Sequence, residues 1–585
     1  MFKNYFTIAF RNLLKNKIFS MVNILGLAIG MAACFFIYLY VRFESSYDRF
    51  NKNAANLYRV TISYSGSFAS SSPPMATNHP AVGPAMKADF PEVVDFARIV
   101  PASYLHTITI TYTDVKGNAT SFNEDKMCLA DPSFLTLFTF PFIKGNPAKA
   151  LAEANTIVIS NSTAKKYFGK ADPMGKTLYL NKQFPFKVTG VFADVPENSH
   201  IKFDMLGSVK TWGDKWNYDG WTDPEFYNYV LLTPGTDPQK VEAKFPAFIN
   251  KYLGTIMKQL NFGCAFHLQP VTDIHLKSQL LLEPEVNGSE RDIYFLSIIG
   301  LLILIVAWIN YINLSTAKSI ERAKEVGLRK VVGASRLQLI GQFIIESGIV
   351  NLLAMLLAAF IIFIFFPYFS GFIGKNISEE FLSAGLLHQP KFWLIIIALF
   401  VTSAFLVGAY PAFVLSHYRP VSVLKGKFFQ SAKGIFLRKS LVSFQFLLSV
   451  LLIAGTIIVY KQLLFMRNHT LGYNKDQVVV VKAPTAIDST FMIKVDAFQT
   501  ELLRNSSISS VAASSDIPGK EISEGNTVRR ASEDKTHNYI TNILTANENF
   551  ISTYQMNIAA GRNFLPKDTA NFVAGGLKQC KGNGK

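Results

Sequence analysis

The stretch Gly169-Lys-Ala-Asp-Pro-Met-Gly175-Lys176-Thr177 is the part of the sequence closest to a phosphate-binding loop. Such a loop has four residues between its glycines, followed by Lys and Ser or Thr, because its backbone amides must surround the phosphates. Here five residues separate the glycines, and one of them, Pro173, has no amide hydrogen to donate. The pattern therefore predicts a turn, and we expect no ATPase activity from this chain.

Other side chains that could carry chemistry are scattered along the sequence. Its four cysteines are Cys34, Cys128, Cys264 and Cys580. They show no CxxC spacing and no paired histidines, which argues against a zinc site and leaves open one disulfide, Cys128 with Cys264. His275 has no partner cluster and is interpreted as structural. No nucleophile or carboxylate arrangement stands out, so we expect no catalytic residues, no metal and no cofactor.

The densest mixed-charge segment runs from Glu321 to Ser335. Its charged side chains could form charge-assisted contacts with a partner protein. The residues that could make such contacts are Glu321, Arg322, Lys324, Glu325, Gly327, Arg329, Lys330 and Gly333. These residues alone favour a solvated basic loop beside a membrane, and their assignment to partner binding is what a family resemblance implies.

The composition of the chain indicates a membrane protein. Its 585 residues are 49% hydrophobic and 17% charged, and 50 of them are Phe, whereas an average soluble protein contains more charge. A helix needs about 20 apolar residues to cross the hydrocarbon core of a bilayer. The predicted spans are residues 21–41, 293–314, 344–366, 392–415 and 441–460.

The basic residues predict how these spans are oriented. The formal net charge of +17 could indicate nucleic-acid binding, but Lys and Arg concentrate in three short flanks, residues 1–20, 315–342 and 416–439. Positive flanks face the cytoplasm, so residues 42–291 are predicted to lie outside. We therefore expect a multi-pass protein of the inner membrane and no nucleic-acid partner. The apolar residues of 1–20 recur at helical spacing, which predicts an amphipathic helix on membrane lipid, with a simple anchoring flank as the alternative.

Polar groups are sparse inside the predicted spans. No Asp, Glu, Lys, Arg or His lies deep in any of them, whereas ion-driven carriers need ionisable groups at membrane depth. The sequence thus argues against such a carrier. Asn310 and Asn313 are predicted to form hydrogen bonds between helices, and Gly26-x-x-x-Gly30 is predicted to allow close helix packing.

Residues 42–291 show the mixed pattern of an α+β domain of one or two lobes. The predicted strands and helix are His106–Tyr112, Thr156–Ser160, Thr177–Leu180, Phe186–Phe192 and the helix Ser162–Phe168. The predicted fold class is a multi-pass α-helical membrane protein with a large extracytoplasmic α+β domain between spans one and two.

Part of this domain recurs later in the chain. Phe134-Leu-Thr-Leu-Phe leads to Gly145, and Phe550-Ile-Ser-Thr-Tyr leads to Gly561 at the same distance. Self-similarity of this kind indicates an internal repeat. We therefore expect residues 461–585 to form an incomplete second outer domain, preceded by a span of its own.

Taken together, these motifs resemble the MacB/FtsX-like ABC transporter permeases, in the subgroup that fuses two permease units. The strongest match is Glu321–Ser335. The others are Phe10-Arg11-Asn12, Gly26-Leu-Ala-Ile-Gly30, Val158-Ile-Ser, Tyr167-Phe168-Gly169, Asp172-Pro173-Met-Gly175-Lys176, Val188-Thr-Gly190-Val191, Asp194 through His200, Tyr410-Pro411-Ala412 and Arg419-Pro420-Val421. The resemblance covers residues 1–430 as one unit and 435–573 as part of a second. Beyond Val573 the pattern is lost, and we hypothesise a shifted or cut reading frame, which sequencing of the genomic locus would test.

The resemblance implies a fold and a function. Residues 42–291 would be a MacB-type periplasmic core domain, and the chain would be a non-catalytic permease subunit for efflux or mechanotransmission. A separate cytoplasmic ABC ATPase would dock on the coupling segment 315–342 and drive export of peptides, antibiotics or lipoproteins. Expected partners also include a second permease unit or a homodimer partner, and a periplasmic adaptor is a further candidate. The alternative function is a membrane-anchored sensor or scaffold that regulates a cell-wall enzyme or binds an extracytoplasmic partner.

Overall fold

The structure is a computed structural model, and it describes residues 2–66, 73–102, 108–211, 220–221, 224–317, 326, 328–375, 388–417, 432–469, 471–483, 490–519, 525–528, 532 and 539–565. The chain divides into two compact units. The membrane unit comprises Met1–Tyr47 and Gly288–Arg467, and the outer unit comprises Asp48–Asn287 and Asn468–Lys585.

The described elements follow in chain order. The helices are α1 (Phe2–Lys15), α2 (Lys17–Glu44), α3 (Val82–Asp89), α4 (Phe134–Leu137), α5 (Pro147–Ala150), α6 (Asn161–Phe168), α7 (Pro238–Glu242), α8 (Phe245–Leu260), α9 (Val271–Lys277), α10 (Glu290–Ala317), α11 (Arg336–Ile373), α12 (Pro390–His417), α13 (Ala432–Asn468), α14 (Phe491–Leu503) and α15 (Phe550–Thr553). The strands are β1 (Leu57–Gly66), β2 (Val93–Pro101), β3 (Ile108–Thr113), β4 (Ala119–Glu124), β5 (Met127–Ala130), β6 (Phe142–Gly145), β7 (Thr156–Ser160), β8 (Thr177–Leu180), β9 (Phe184–Phe192), β10 (Met205–Ser208), β11 (Tyr227–Leu232), β12 (Phe262–Pro270), β13 (Gly525–Val528) and β14 (Tyr539–Asn542).

Five helices in the described part of the chain are long and apolar enough to cross a membrane: α2, α10, α11, α12 and α13. Each contains one of the predicted spans and continues beyond it at both ends. The apolar run marks the stretch that needs hydrocarbon, but a helix continues as long as its backbone groups find partners. Hydropathy alone therefore underestimates the length of each helix.

Two predicted helix boundaries differ from the structure. The predicted helix 1–20 is interrupted at Asn16, whose backbone leaves the helical region with φ −119° and ψ 54°. Its side-chain amide donates to the carbonyl of Asn12 at 3.3 Å, so the residues after Asn16 belong to α2. Residues 432–439, predicted as a linker, form the first turns of α13, and that helix continues to Asn468 rather than ending near Tyr460.

Glycines set the closest helix contact in the membrane unit. A Cβ atom built on Gly30 of α2 would lie 2.8 Å from the Cβ of Ala307 on α10, and one on Gly26 would lie 3.4 Å from the side-chain nitrogen of Asn310. Leu27 and Met31 of α2 are buried on either side of Gly30. The predicted role of Gly26-x-x-x-Gly30 in close packing is thus confirmed.

A single twelve-stranded sheet forms the centre of the outer unit. Its order is β12-β1-β11-β2-β5-β10-β7-β9-β8-β3-β4, with β6 paired to β9. The β5–β10 and β7–β9 pairs are parallel and the other pairs are antiparallel. The predicted strands Thr156–Ser160 and Thr177–Leu180 are confirmed at both ends. The sequence left open whether this region has one lobe or two. In the structure one continuous sheet runs through it.

The disulfide that the sequence left open is excluded by this strand order. Cys128 lies on β5 and Cys264 on β12, with β2, β11 and β1 between them. Four strand spacings of about 4.8 Å place the two residues roughly 19 Å apart, far beyond the reach of a disulfide. Both thiols, like that of Cys34, are free.

The internal repeat recurs as a set of hydrogen bonds. In the first copy the N–H of Asp131 donates to the carbonyl of Arg98 at 3.0 Å, and the N–H of Arg98 donates to the Asp131 carboxylate at 2.9 Å. In the second copy the N–H of Asn547 donates to the carbonyl of Ala513 at 3.0 Å, and the N–H of Ala513 donates to the Asn547 side chain at 3.2 Å. The predicted repeat therefore extends to backbone geometry. The tail beyond Val573, on which the reading-frame hypothesis rests, lies outside the described residues.

Candidate functional site: the basic segment that precedes α11

The segment assigned to partner binding is described in part. Glu321, Arg322, Lys324, Glu325 and Gly327 lie outside the described residues. The structure does place Arg329, Lys330 and Gly333, and these three lie together immediately before α11. Their assignment to partner binding stays a prediction.

Backbone geometry fixes this segment against the start of α11. The N–H groups of Val332 and Ala334 donate to the carbonyls of Leu328 and Arg329 at 3.1 and 2.9 Å, which is the pattern of a helix end. Gly333 has φ +102°, a conformation in which a Cβ atom is strained, so the chain turns there.

A capping box then begins α11. The Ser335 hydroxyl accepts from the N–H of Gln338 at 3.4 Å, and the Gln338 side chain accepts from the N–H of Ser335 at 3.0 Å. Two amides at the helix start therefore have partners. The segment therefore continues directly into α11, with Ser335 as the N-cap residue of that helix.

The charged side chains of the segment also contact α11. The Arg329 guanidinium donates to the side-chain oxygen of Gln342, which is buried one turn before the equally buried Glu346. Partial burial, followed by the positive charge of Arg336, lowers the pKa of Lys330. A cluster of three cations thus surrounds the start of α11, which suits an acidic partner surface.

The sequence analysis missed the apolar residues interleaved with these charges. Leu328, Val331, Val332 and Leu337 are 61%, 63%, 83% and 80% exposed. Exposed apolar groups clustered between polar residues mark interaction surfaces, and such groups often dominate binding energy once a partner covers them. The signal was available in the sequence, since Val331 and Val332 stand in a segment predicted to lie outside the bilayer.

A chain of polar side chains links α11 to its neighbours inside the bundle. The Trp308 indole on α10 donates to the Ser403 hydroxyl on α12 at 2.9 Å, and Ser403 donates to Asn351 on α11 at 2.6 Å. Asn351 donates to the Ser347 carbonyl at 2.9 Å, and the Ser347 hydroxyl lies 3.4 Å from that of Tyr311. Because hydrocarbon offers no replacement partners, such bonds fix how helices face one another.

The two asparagines that the sequence singled out have different surroundings. Asn313 donates to the side chain of Gln445 on α13 at 3.3 Å, which confirms its predicted helix–helix hydrogen bond. Asn310 instead packs against Gly26. Asn23 on α2 is 2% exposed, and its side-chain amide has no hydrogen-bond partner in the described part of the structure.

The motif from Asp194 to His200 contacts Asp48, the first residue of the outer unit. The His200 Nδ1 lies 2.8 Å from the Asp48 carboxylate, and its Nε2 lies 2.7 Å from the Tyr229 hydroxyl, all three side chains being buried. The N–H of Asp48 donates to the carbonyl of Asn198 at 2.9 Å. These buried contacts join the Asp194–His200 motif to the start of the outer unit and fix its position there.

The stretch that resembles a phosphate loop forms the predicted turn. The N–H of Gly175 donates to the carbonyl of Val188 on β9 at 2.8 Å, so this amide does not point toward a phosphate site. The Lys176 ammonium stands 5.1 Å from the ring of Phe168 and 5.4 Å from that of Tyr112, in cation–π contact.

His275 is buried in α9. The described residues contain no group of three or more His, Cys, Asp or Glu side chains arranged to hold a metal.

Comparison with known proteins bears on both units. Residues 20–248 match the MacB-like periplasmic core domain, and residues 297–420 match the FtsX-like permease C-terminal domain, which together cover more than half of the chain. The macrolide export ATP-binding/permease protein MacB of Aggregatibacter actinomycetemcomitans is 27% identical over 209 residues, 34% of this chain and 29% of that protein. The uncharacterized ABC transporter permease YknZ of Bacillus subtilis (strain 168) is 26% identical over 199 residues, 34% of this chain and 45% of that protein.

The matched region spans less than half the length of either relative. Among solved structures, a domain of a candidate permease protein from Porphyromonas gingivalis is similar with a TM-score of 0.32 and 24% identity, over 38% of this chain and 92% of that domain. The chain belongs to the MacB/FtsX-like ABC transporter permease family and is a multi-pass protein of the inner membrane.

Proposed function

We propose that this chain is the permease subunit of an ABC-type efflux or mechanotransmission complex, and that a separate cytoplasmic ATPase docks on residues 315–342. The observation that carries this proposal is the patch formed by Leu328, Val331, Val332 and Leu337, which is exposed, apolar and bordered by cations. A patch of this kind is costly to leave in water and suits a partner that covers it.

The contacts of α11 support a route for the coupling. A force applied to the segment reaches α11 directly, because the capping box at Ser335 and the Arg329–Gln342 hydrogen bond fix the one to the other. From α11 it reaches α12 and α10 through the side chains of Asn351, Ser403 and Trp308. In the proposed mechanism, closure of the ATPase around nucleotide moves these helices together, and the outer unit responds.

The cargo is proposed from relatives and from the fold. The name of one relative specifies macrolide export, and peptides, other antibiotics and lipoproteins are the further classes that we consider. In this proposal the chain contributes movement, and the partner ATPase contributes the chemistry.

The docking assignment is tested by Val332→Glu and Arg329→Ala in the full chain, purified in mild detergent with the ATPase produced beside it. The charge at Val332 should reduce co-purified ATPase by at least about tenfold, because a central interface residue contributes more than about 1–2 kcal/mol. Val115→Glu is the matched control, since Val115 is fully exposed on the outer unit. Equal ATPase recovery for all variants, at equal membrane insertion, would refute the docking surface.

A second measurement separates a permease from a sensor or scaffold. In liposomes that contain both chains, the rate of ATP hydrolysis should depend on the permease and should fall with Val332→Glu. A scaffold that acts only through its outer unit predicts a hydrolysis rate unaffected by this chain.

A further inference from the structure

Two short segments connect the outer unit to the helices α2 and α10. The chain enters the outer unit at Asp48, four residues after α2 ends, and leaves it at Asn287, three residues before α10 begins. We call residues 48–51 the entry end and residues 278–287 the exit end. Each end carries a buried acidic side chain, and because a buried charge needs a partner, these partners show where each end is fixed.

The exit end is fixed to β1 through Glu283. Its carboxylate accepts from both terminal nitrogens of the Arg59 guanidinium at 2.7 and 2.8 Å, and the Arg59 side chain is fully buried. The same guanidinium donates to the Ser278 hydroxyl at 3.1 Å, and the Ser278 carbonyl accepts from the Asn287 side chain at 3.1 Å. A bidentate pair of this kind fixes orientation as well as distance. Arg59 therefore holds the exit end along its length.

The entry end is fixed to β11 through His200. The His200 Nε2 shares a hydrogen bond with the Tyr229 hydroxyl, and the His200 Nδ1 contacts the Asp48 carboxylate, as described above. Asp48 has φ +59°, a left-handed conformation in which Asp is found more often than most residues. The turn at Asp48 and its buried carboxylate together set where the chain enters.

Both ends are thus held by residues that face each other across two strands. Strands β1 and β11 pair antiparallel with Arg59 in register with Tyr229, so the two side chains leave the same face of the sheet. Tyr227, two residues before Tyr229 on β11, also donates to the carbonyl of Leu282 in the exit end at 2.7 Å. Strand β11 therefore contacts both ends.

We propose that the Arg59–Tyr229 pair is a shared anchor, which keeps the entry and exit ends together and receives movement from both. Because the β1–β11 ladder joins the two residues, neither end can shift without displacing the strand that holds the other. Arg59, Tyr229 and His200 are then positioning residues for the coupling between α2, α10 and the outer unit. This role in coupling rests on the proposed function, whereas the anchor itself rests only on the contacts above.

Hydrogen exchange of the full chain in detergent tests the anchor at the exit end. Glu283→Gln keeps the shape of the side chain but leaves the buried Arg59 without a charged partner. The amide of Leu281, which donates to the Pro74 carbonyl at 2.9 Å, should then exchange at least about a hundredfold faster, the effect of breaking a buried ion pair on local opening.

The entry end is tested by Tyr229→Phe, a milder change that buries no charge. It removes only the hydroxyl, so the amides of Asp48 and Asn51 should exchange about tenfold faster. Arg98→Ala is the control for both ends, because it breaks a buried ion pair elsewhere in the same sheet. It should speed exchange in β2 and β5 far more than at either end.

Distances between spin labels test the role of the anchor in coupling. With the four native cysteines replaced, Val115→Cys on the outer unit and Phe372→Cys on the membrane unit offer two highly exposed labelling positions. In liposomes that also contain the ATPase, a non-hydrolysable ATP analogue should shift the distance between the labels. The double variant Tyr229→Phe, Glu283→Gln should lose most of this shift at an unchanged rate of ATP hydrolysis, and Arg98→Ala should retain it.

The possible results separate the anchor from its role. The anchor is overturned if the substitutions at Glu283 and Tyr229 leave exchange at the two ends unchanged, or if Arg98→Ala speeds it equally. The role in coupling is overturned if the double variant keeps the full shift, or if Arg98→Ala loses it to the same extent, since any weakened sheet would then suffice. A distance that does not respond to nucleotide in the otherwise unchanged chain refutes the proposed function and this role with it, while the exchange rates still decide the anchor.

Discussion

Arg98→Ala is expected to destabilise the outer unit by about 3–5 kcal/mol, the cost of removing one partner of a buried ion pair. The Arg98 side chain is 4% exposed and that of Asp131 is 8% exposed. The guanidinium donates to both carboxylate oxygens, at 2.8 and 3.0 Å, and to the carbonyl of Pro80 at 3.0 Å. The substitution therefore leaves a buried negative charge and a buried carbonyl without their main donor.

In the second copy of the repeat, the positions of this ion pair are occupied by two uncharged residues. Ala513 and Asn547 occupy the equivalent positions, and the N–H of Ala513 still donates to the Asn547 side chain at 3.2 Å. The double variant Arg98→Ala, Asp131→Asn should thus retain that backbone hydrogen bond and bury no charge. Its expected loss is only about 1–2 kcal/mol, mainly from the unpaired Pro80 carbonyl.

Hydrogen exchange of the full chain in detergent, followed on peptides of β2 and β5, measures these losses as local opening free energies. The double-mutant cycle should give a coupling of at least about 2–3 kcal/mol between the two positions, because Asp131→Asn alone also leaves the buried Arg98 without its charged partner. Lys87→Ala is the control, because Lys87 on α3 pairs with Asp95 on β2, the strand of Arg98, but this ion pair is exposed, and its loss should cost less than about 1 kcal/mol. Losses that simply add, with no rescue by Asp131→Asn, would refute the claim that an unpaired charge causes the instability.

Two further predictions concern the glycine contact and the thiols. Gly30→Ala should lower the melting temperature in detergent, because its Cβ would lie 2.8 Å from that of Ala307 and force α2 and α10 apart, whereas Gly348→Ala meets open space and should be neutral or stabilising; equal melting temperatures for both variants would contradict the close contact. Burial raises the pKa of Cys128 to about 12 and that of Cys264 to about 11, so both thiols are protonated at pH 8 and iodoacetamide should label them only after unfolding. Rapid labelling of Cys128 or Cys264 in the folded chain at pH 8 would contradict their burial, and a disulfide between these two residues after oxidation would show that the strand order separating them is wrong.

Local sequence patterns were sufficient for elements whose own residues determine them. The strand Thr156–Ser160 is bounded by turn residues and buried along its whole length, and Gly26 and Gly30 mark a helix contact that only small residues permit. Helix lengths were underestimated because hydropathy reports the environment of a helix rather than its hydrogen bonding. Asn16, for example, ends α1 through a local side-chain bond that hydropathy does not contain.

Features that depend on strand order could not be predicted from the sequence. The separation of Cys128 from Cys264 follows from three intervening strands, two of which are far from both cysteines in the sequence. The charges of the proposed docking surface mark it in the sequence. Val331 and Val332 also stand in a segment predicted to lie outside the bilayer, but the sequence does not give the exposed fraction of each side chain.

The Ser403 hydroxyl has a consequence for how α12 can move. It accepts from Trp308 and donates to Asn351, and the residue is fully buried. Turning α12 by a single residue rotates its face by about 100° and would remove Ser403 from both partners at once. Such a rotation would break both bonds, so gradual sliding of this helix is disfavoured. Any displacement of α12 should therefore occur in discrete steps, or with α10 and α11 moving alongside it as one body.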